Sequence, residues 1–553
     1  MFEGVTPYPA EFQERYRARG YWREKPLRAE FADALAAHGD KIAIIDGEHE
    51  LTYRQLDRLS DNLALNLLDW GLEPGERVIP QLPNCKEFPI LYLALQKIGC
   101  IPICSLINHR YAEISQFAKL SGAAACIAPA RHGDFDFLQM IQRIRGENPG
   151  IKFGLILGGE DLPDGFHSLD RLIENAPTRP AKDLEGIRID PTDPAIFQLS
   201  GGTTGIPKLI PRTHNDYAYV SRMAIGATGL HDKSRMLMCL PMAHNLPLAS
   251  PGLQGYLFHG RPIVLSASTR TKDIFSLVEK HGITHIPVVP ALLIDWLNEV
   301  GKGEYDLSSM ELIQTGGQRL HPEAHIKAKA LMPSIFVQEN FGMGEGMLMY
   351  VRRDDPEDVR LETVGRPVCP DDEVRLVDED DNEVTPGEVG EFCARGPYTI
   401  RGYYQAPEHN ARAFTTDGFY RSGDLMRQHP TGNYIIEGRK KDLINRGGEK
   451  ISAEEIESLI LAHPVVQNVA CVPMPDPRLG ERTCAFVTLG PGQTLTLEEL
   501  VEFLTTKEIA KFKLPERLEI LDEFPVSSFG KISKKSLTEM IGATLAREQG
   551  GDG

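Results

Sequence analysis

Residues 199–209 read Leu-Ser-Gly-Gly-Thr-Thr-Gly-Ile-Pro-Lys-Leu and follow the apolar run Ala195-Ile196-Phe197. Nothing bulky in Ser200, Gly201, Gly202, Thr203, Thr204 or Gly205 would keep a phosphate away from the backbone. Successive N–H groups can converge on an anion as a nest, with three hydroxyls as further donors and Lys208 as a positive charge. The stretch is not a Walker A loop, because Lys208 follows the last glycine by three residues and no Ser or Thr follows it.

Outward from this loop, short β-branched or apolar runs alternate with amphipathic stretches through residues 40–345. Lys41-Ile42-Ala43-Ile44-Ile45 precedes a helical pattern over 52–70, and further runs are Arg77-Val78-Ile79, 151–157 and 283–289. That alternation predicts βαβ units with parallel sheets and helices outside. Over 361–437 the character changes. Runs at 374–377, 391–394 and 434–436 are separated by Asp/Gly/Pro turns, which predicts a small antiparallel β unit. Beyond Gly438-Arg439-Lys440-Lys441-Asp442 the spacing predicts a helix over 453–462, with Ser452 as N-cap and Glu454 and Glu455 in its first turn. Strands at 469–472 and 485–489 and a helix over 495–505 follow. The fold class expected is α/β. A large N-terminal domain (residues 1–438) of parallel βαβ sheets carries the small β unit, and a junction (439–442) leads to a smaller α+β domain (443–553). Residues 549–553 read as a disordered tail.

The 553 residues are 41% apolar and 25% charged, an ordinary globular composition. A net charge of −18 argues against binding nucleic acid or adsorbing to an anionic membrane. A nucleotide must therefore be met by local donors and a cation, for which Mg²⁺ is the natural supplement. The nine cysteines are scattered without a Cys-x-x-Cys pair, so neither a zinc site nor a disulfide framework is suggested, and they read as small buried hydrophobes. Residues 1–30 are rich in Glu and Arg and no apolar run reaches membrane-spanning length. A soluble, cytoplasmic protein is expected.

Four further segments combine a carboxylate, glycines or a cation. Asn340-Phe341-Gly342-Met343-Gly344-Glu345-Gly346 sets an aromatic that can stack on a purine beside an acid that can hold Mg²⁺. Tyr420-Arg421-Ser422-Gly423-Asp424 places an Asp after a tight turn, where it could grip ribose hydroxyls. Gly438-Arg439, followed by Asn445-Arg446-Gly447-Gly448-Glu449-Lys450, makes a basic junction, and Ser527-Ser528-Phe529-Gly530-Lys531 puts one lysine in an exposed turn.

In this order and approximate spacing, the segments resemble the adenylate-forming superfamily of acyl-CoA synthetases, adenylation domains and luciferases, over nearly the whole chain. The resemblance implies a two-step reaction. A carboxylate attacks the α-phosphorus of ATP, pyrophosphate leaves, and a thiol captures the acyl-adenylate. By this resemblance Ser200 to Lys208 cradle the departing phosphates. Phe341 and Gly342 lie against adenine with Gly316 and Gly317 on the other side, and Glu339 accepts from the adenine amino group. Glu345 orients Mg²⁺, Asp424 and Arg439 hold the ribose, and Lys531 bridges the substrate carboxylate and α-phosphate. The resemblance also implies a mobile C-terminal domain swinging about Lys441, with Gly447 and Gly448 lining a pantetheine tunnel in the second state. Gly344 departs from a position where many members carry Thr and a subset Ala.

The segment Pro241-Met242-Ala243-His244-Asn245-Leu246-Pro247-Leu248-Ala249-Ser250-Pro251-Gly252 is similar to stand-alone aryl-acid ligases that start siderophores, those for 2,3-dihydroxybenzoate and salicylate. Pro211-Arg212-Thr213-His214-Asn215-Asp216-Tyr217 matches the same subgroup. Asn245 stands where amino-acid-activating relatives hold an Asp. An amide can pair with an ortho hydroxyl or ring nitrogen but gives an α-ammonium no counter-charge. Ser250 falls near the ring's 3-position and leans the reading to a 3-hydroxylated ring. Leu246 in place of a customary Tyr, Gln318 after the glycine pair and Asn340 beside Phe341 depart from the subgroup. The last two add polarity that 3-hydroxypicolinate, anthranilate or 3-hydroxyanthranilate would use.

The expectation is an aryl-acid–AMP ligase that loads an aryl carrier protein in trans, in siderophore or nonribosomal peptide biosynthesis. An aryl-CoA ligase using free coenzyme A is the alternative, and a silent adenylate-binding relative is disfavoured by intact Glu345, Asp424, Arg439 and Lys531. A homodimer is compatible with this reading; a nucleic-acid or membrane partner is not expected.

Overall fold

The β-branched run Ile42–Asp46 forms a strand that pairs parallel with Ile263–Leu265 and antiparallel with His49–Thr52. Thr52 then caps the helix Tyr53–Asp69 in a reciprocal capping box with Gln55. In the computed structural model the described residues are 2–200, 208–300, 305–317, 319–320, 322–446, 449–476, 479–507, 509, 511–526 and 531–550.

Two sheets carry the N-terminal part. The larger runs in the order Arg366–Pro367, Gly346–Tyr350, Phe336–Met343, Leu312–Gly316, His285–Val288, Met236–Met238, Ile263–Leu265, Ile42–Asp46, His49–Thr52. It is parallel from Phe336–Met343 to Ile42–Asp46 and antiparallel only at its margins. The smaller is wholly parallel, in the order Ile101–Pro102, Arg77–Pro80, Ala125–Pro129, Phe153–Leu157, Phe166–Ser168. The expected βαβ architecture is thus present, with one departure. Pro194–Leu199, the strand entering the glycine-rich loop, pairs antiparallel with Leu209–Thr213. Residues 200–208 are too few for a parallel crossover, which takes about a dozen or more. Cys104 N donates to Phe197 O at 2.9 Å and ties this hairpin to the smaller sheet.

The small β unit is a four-stranded antiparallel sheet of Glu373–Val377, Gly390–Arg395, Tyr420–Gln428 and Tyr434–Arg439. Tyr420-Arg421-Ser422-Gly423-Asp424, expected as a turn, lies inside its third strand. Gly423 at φ +72° gives the local irregularity that the motif suggested while the pairing continues on both sides. A single 3₁₀ turn, Lys440–Asp442, connects this sheet to the last one. There Glu449–Ser452, Leu443–Arg446, Gly480–Leu489 and Val466–Asp476 pair antiparallel, and Arg517–Ile520 adds in parallel. Helices Ala453–Leu461, capped by Ser452, and Leu497–Thr505 pack on this sheet through Ile456, Ile460, Leu500 and Leu504. The final helix, Lys534–Gly550, runs through residues 549 and 550 of the expected disordered tail; 551–553 lie outside the described residues. Eight of the nine cysteines are buried and all nine are thiols. Among the described residues no helix is long and apolar enough to cross a membrane.

One buried group is costly to the fold. Asp372 Oδ2 accepts from Tyr398 Oη at 2.6 Å and Cys369 N at 3.2 Å, but Oδ1 is buried without a partner. Burial pushes this carboxyl up to about 8. A raised carboxyl favours folding below its unfolded value and loses that favour as pH rises towards 8. Asp372→Asn is therefore expected to flatten the decline of the thermal midpoint between about pH 4 and 8. An equally steep decline in the variant would contradict this assignment.

Candidate active site

In open α/β sheets ligands collect beyond the carboxyl ends of the strands. Leu312–Gly316 and Phe336–Met343 end side by side here, with Gly316 opposite Asn340 in register. Asn340 Nδ2 donates to Thr315 O at 2.6 Å, and its side chain lies across Gly316. A Cβ on Gly316 would fall 2.2 Å from Asn340 Oδ1, so Asn340 in this position requires a glycine at 316. Glu339 is buried; its Oε1 accepts from Leu320 N at 2.9 Å, and Oε2 is 3.2 Å from His325 Nε2. The expected adenine contact thus begins from a carboxylate already held by the protein. Phe341 is buried edge-on to Phe392, with ring centroids 5.6 Å apart, while neighbouring Gly342 is exposed.

The segment expected to meet the acid follows the strand Met236–Met238. Asn84 clamps it. Its Nδ2 donates to the carbonyls of Met238 (3.2 Å) and Leu240 (2.9 Å), and its Oδ1 accepts from Met242 N at 3.0 Å. His244 follows, and burial, with the charge of Lys531 and then His109, lowers it to about 3, so its ring is neutral at pH 7. Asn245 opens the short helix Asn245–Ala249, and its Oδ1 accepts from Tyr217 Oη at 3.0 Å. Leu246 packs on the core cluster that includes Ile286, Val288 and Leu293. Ser250 ends the segment at a cis bond to Pro251. Its carbonyl accepts from Tyr350 Oη (2.7 Å) and Gln314 Nε2 (3.1 Å), whereas its Oγ is buried without a partner. Gln314 lies in the strand that ends at Gly316, so the acid segment is tied to the same sheet end.

On the nucleotide side, Ser200 and Lys208 close the mouth of the loop. Ser200 N donates to Lys208 O at 3.0 Å, and Lys208 N to Ser200 Oγ at 2.9 Å. The Ser200 hydroxyl keeps its own proton to donate. Arg212 forms a fully buried pair with Asp216 (2.8 Å) and donates from Nη1 to Gly344 O at 3.0 Å, linking this hairpin to the Glu345 turn. The Gly344 departure has a steric correlate, since a Cβ there would stand 2.9 Å from Ile210 Cδ1. Glu345 is held twice, its carbonyl by Ile400 N (2.8 Å) and its Oε1 by Tyr403 Oη (2.6 Å), which in turn lies 3.0 Å from Tyr420 Oη. Asp424 is buried and pairs with Arg439 at 2.8 Å, and this carboxylate raises the guanidinium's pKa.

The C-terminal part reaches the same place. A Cβ on Gly317 would stand 3.6 Å from Lys531 Nζ. Lys531 is half-buried rather than in an exposed turn, because the N-terminal sheet end covers it. Gly316, Gly317, Asn340, His244 and Lys531 are therefore brought together. Gly201, Gly202, Thr203, Thr204, Gly205, Gln318, Gly447 and Gly448 lie outside the described residues, as does the side chain of Lys441. Sequence reading missed Asn84, Gln314, Tyr350 and Tyr403, which carry no local signal, and left Tyr217 without a role although it quoted the segment that ends there.

A late lysine and a buried histidine meeting at one sheet end, in a chain that also carries a glycine-rich loop sequence and a carboxylate–arginine pair, are the features of an adenylate-forming ligase. The chain belongs to the AMP-binding enzyme family. The family's AMP-binding enzyme region matches residues 31–404 and its C-terminal domain residues 455–531. Enzymes of this family use ATP. The chain is 45% identical to a salicylyl-CoA synthase/salicylate adenylyltransferase of a Streptomyces species, over 98% of each chain. It is 42% identical to the 2,3-dihydroxybenzoate-AMP ligase of Bacillus subtilis, over 99% of each. The apo structure of Mycobacterium smegmatis MbtA superposes with a TM-score of 0.74 at 38% identity, covering 97% of this chain and 98% of that one.

Proposed function

We propose that this enzyme activates an ortho-hydroxylated aryl acid of the salicylate or 2,3-dihydroxybenzoate type. It forms the acyl-adenylate with release of pyrophosphate and passes the acyl group to a phosphopantetheine thiol of an aryl carrier protein. The observation that carries the reading is the convergence of Lys531, neutral His244 and the Gly316–Gly317 backbone beside the Asn245–Ser250 segment. A neutral imidazole and an amide can hydrogen-bond a phenolic acid and give an α-ammonium no counter-charge.

In this reading Lys531 neutralises charge growing between the acid's carboxylate and the α-phosphate. Asp424, paired to Arg439, takes the ribose hydroxyls, and Ser200 to Lys208 receive the departing phosphates. Glu345 suits a hard cation. Its buried carboxylate is held at Oε1 by the Tyr403 hydroxyl and is hydrogen-bonded by Tyr420 as well, which fixes an anionic group in place. It would hold Mg²⁺, which supplies charge neutralisation of the phosphates. The 3₁₀ turn Lys440–Asp442 is the place where the C-terminal domain would turn between the two half-reactions.

The reading is tested by mass spectrometry of aryl-adenylate formed from ATP and either acid, then by adding phosphopantetheinylated aryl carrier protein or coenzyme A. Aryl-adenylate consumed by the carrier supports it, and absence of any aryl-adenylate overturns it. Consumption by coenzyme A alone would establish the second reading, which the first relative's printed name favours. Asn245→Asp is expected to raise KM for salicylate about tenfold or more by facing the substrate with a negative charge. An unchanged KM would remove Asn245 from the pocket.

A further inference from the structure

The Tyr217 hydroxyl sits between two amides. It accepts from Gln198 Nε2 at 3.0 Å and donates to Asn245 Oδ1 at 3.0 Å. The three residues come from three elements: the strand Pro194–Leu199 entering the glycine-rich loop, the helix His214–Thr228 and the short helix Asn245–Ala249. Tyr217 is fully buried, and its ring lies under the guanidinium of Arg212 at 5.0 Å, itself locked to Asp216. The phenol has a single proton and burial raises its pKa, so it stays protonated. With Gln198 donating to its oxygen, that proton goes to Asn245. Asn245 Oδ1 is then committed inside the protein, and what the side chain offers elsewhere is its NH₂, a pure donor.

We propose that Gln198 and Tyr217 are positioning residues that set Asn245 as a hydrogen-bond donor, so that the site selects acids with an ortho acceptor over acids with an ortho amine. This rests on the proposed aryl-acid function, with Asn245 facing the acid. In a 2-hydroxy acid the phenol proton bonds internally to the carboxylate, which leaves the phenol oxygen free to accept. In a 2-amino acid the nitrogen's lone pair is delocalised into the ring, and its outward-facing group is an N–H that meets another N–H. The relay thereby favours salicylate-type over anthranilate-type substrates, a choice that the residues Asn245 and Ser250 alone leave open. A donor facing a donor leaves both unpaired, the arrangement that buried sites discriminate against most strongly.

The test is acid-dependent ATP–pyrophosphate exchange with salicylate, anthranilate and benzoate, on the parent enzyme, Tyr217→Phe and Gln198→Glu. Phenylalanine keeps the ring and frees the amide to rotate. Its salicylate-to-benzoate ratio of kcat/KM is expected to fall about tenfold through KM, with benzoate itself unchanged and anthranilate gaining on salicylate. Gln198→Glu gives the phenol an acceptor, which reverses the relay and turns the Asn245 carbonyl outward, so the ranking is expected to shift further towards anthranilate. If Tyr217→Phe lowers all three acids equally, or leaves their ratios unmoved, the relay is overturned and Tyr217 is only a core residue. Should the parent exchange with none of the three acids, the aryl-acid reading falls and the relay with it.

Discussion

Lys531→Ala is expected to lower acid-dependent adenylate formation by about 10³-fold while transfer from preformed aryl-adenylate to a thiol stays within a few-fold. The asymmetry follows from where the charge sits. Adenylation brings a carboxylate against a triphosphate, and the negative charge that builds up needs a cation aimed at it in a site with little water. In the proposed function Lys531 is that cation; it comes from the C-terminal domain, with its ammonium 3.6 Å from a Cβ position on Gly317. Its field also helps keep His244 neutral, so the alanine variant is expected to raise the pKa of His244 from about 3. Thiol transfer breaks the acyl–phosphate bond with AMP leaving, and in the proposed second orientation Lys531 has turned away. Single-turnover measurement of each half-reaction separates the two. Equal losses in both would sink the domain-alternation account and make Lys531 a residue of general binding.

Glu345→Gln is the second large effect expected. Glutamine keeps the volume and can keep the 2.6 Å bond from Tyr403, so the turn held by Ile400 N should stand and the thermal midpoint should hardly move. What it loses is the anionic oxygen. Exchange activity is expected to fall about 10²–10³-fold, with the Mg²⁺ concentration for half-maximal rate raised. A variant with unchanged Mg²⁺ dependence would take Glu345 out of the metal's reach and leave it a structural acid held by Tyr403.

Periodicity and capping made much of the fold legible. Thr52 and Ser452 mark helix starts by their side-chain chemistry, and alternating apolar runs gave the parallel sheets. The antiparallel pairing of Pro194–Leu199 is a matter of loop length, which residues 200–208 make too short for a crossover, and a β-branched strand reads alike in either direction. Asp424 could be picked out as a candidate, but that its motif sits within a strand depends on partners before and after it in the sheet. The supports of the site were hardest to see. Asn84 clamps residues 154 to 158 positions away, and Tyr403 reaches back to Glu345 across the fold. Neither has a neighbour in sequence that hints at its partner. Such contacts are set by tertiary packing, so a motif names the groups that face the ligand and is silent about what holds them.

The most direct test of the central claim is acid-dependent ATP–pyrophosphate exchange across a panel. It would hold salicylate, 2,3-dihydroxybenzoate, 3-hydroxypicolinate, anthranilate, 3-hydroxyanthranilate, benzoate and several amino and fatty acids. The account predicts exchange confined to the aryl acids, with the ortho-hydroxylated ones leading. A 2,3-dihydroxybenzoate rate above the salicylate rate would assign the unpartnered Ser250 Oγ to a 3-hydroxyl. Exchange with amino or fatty acids alone, or with nothing on the panel, would contradict it.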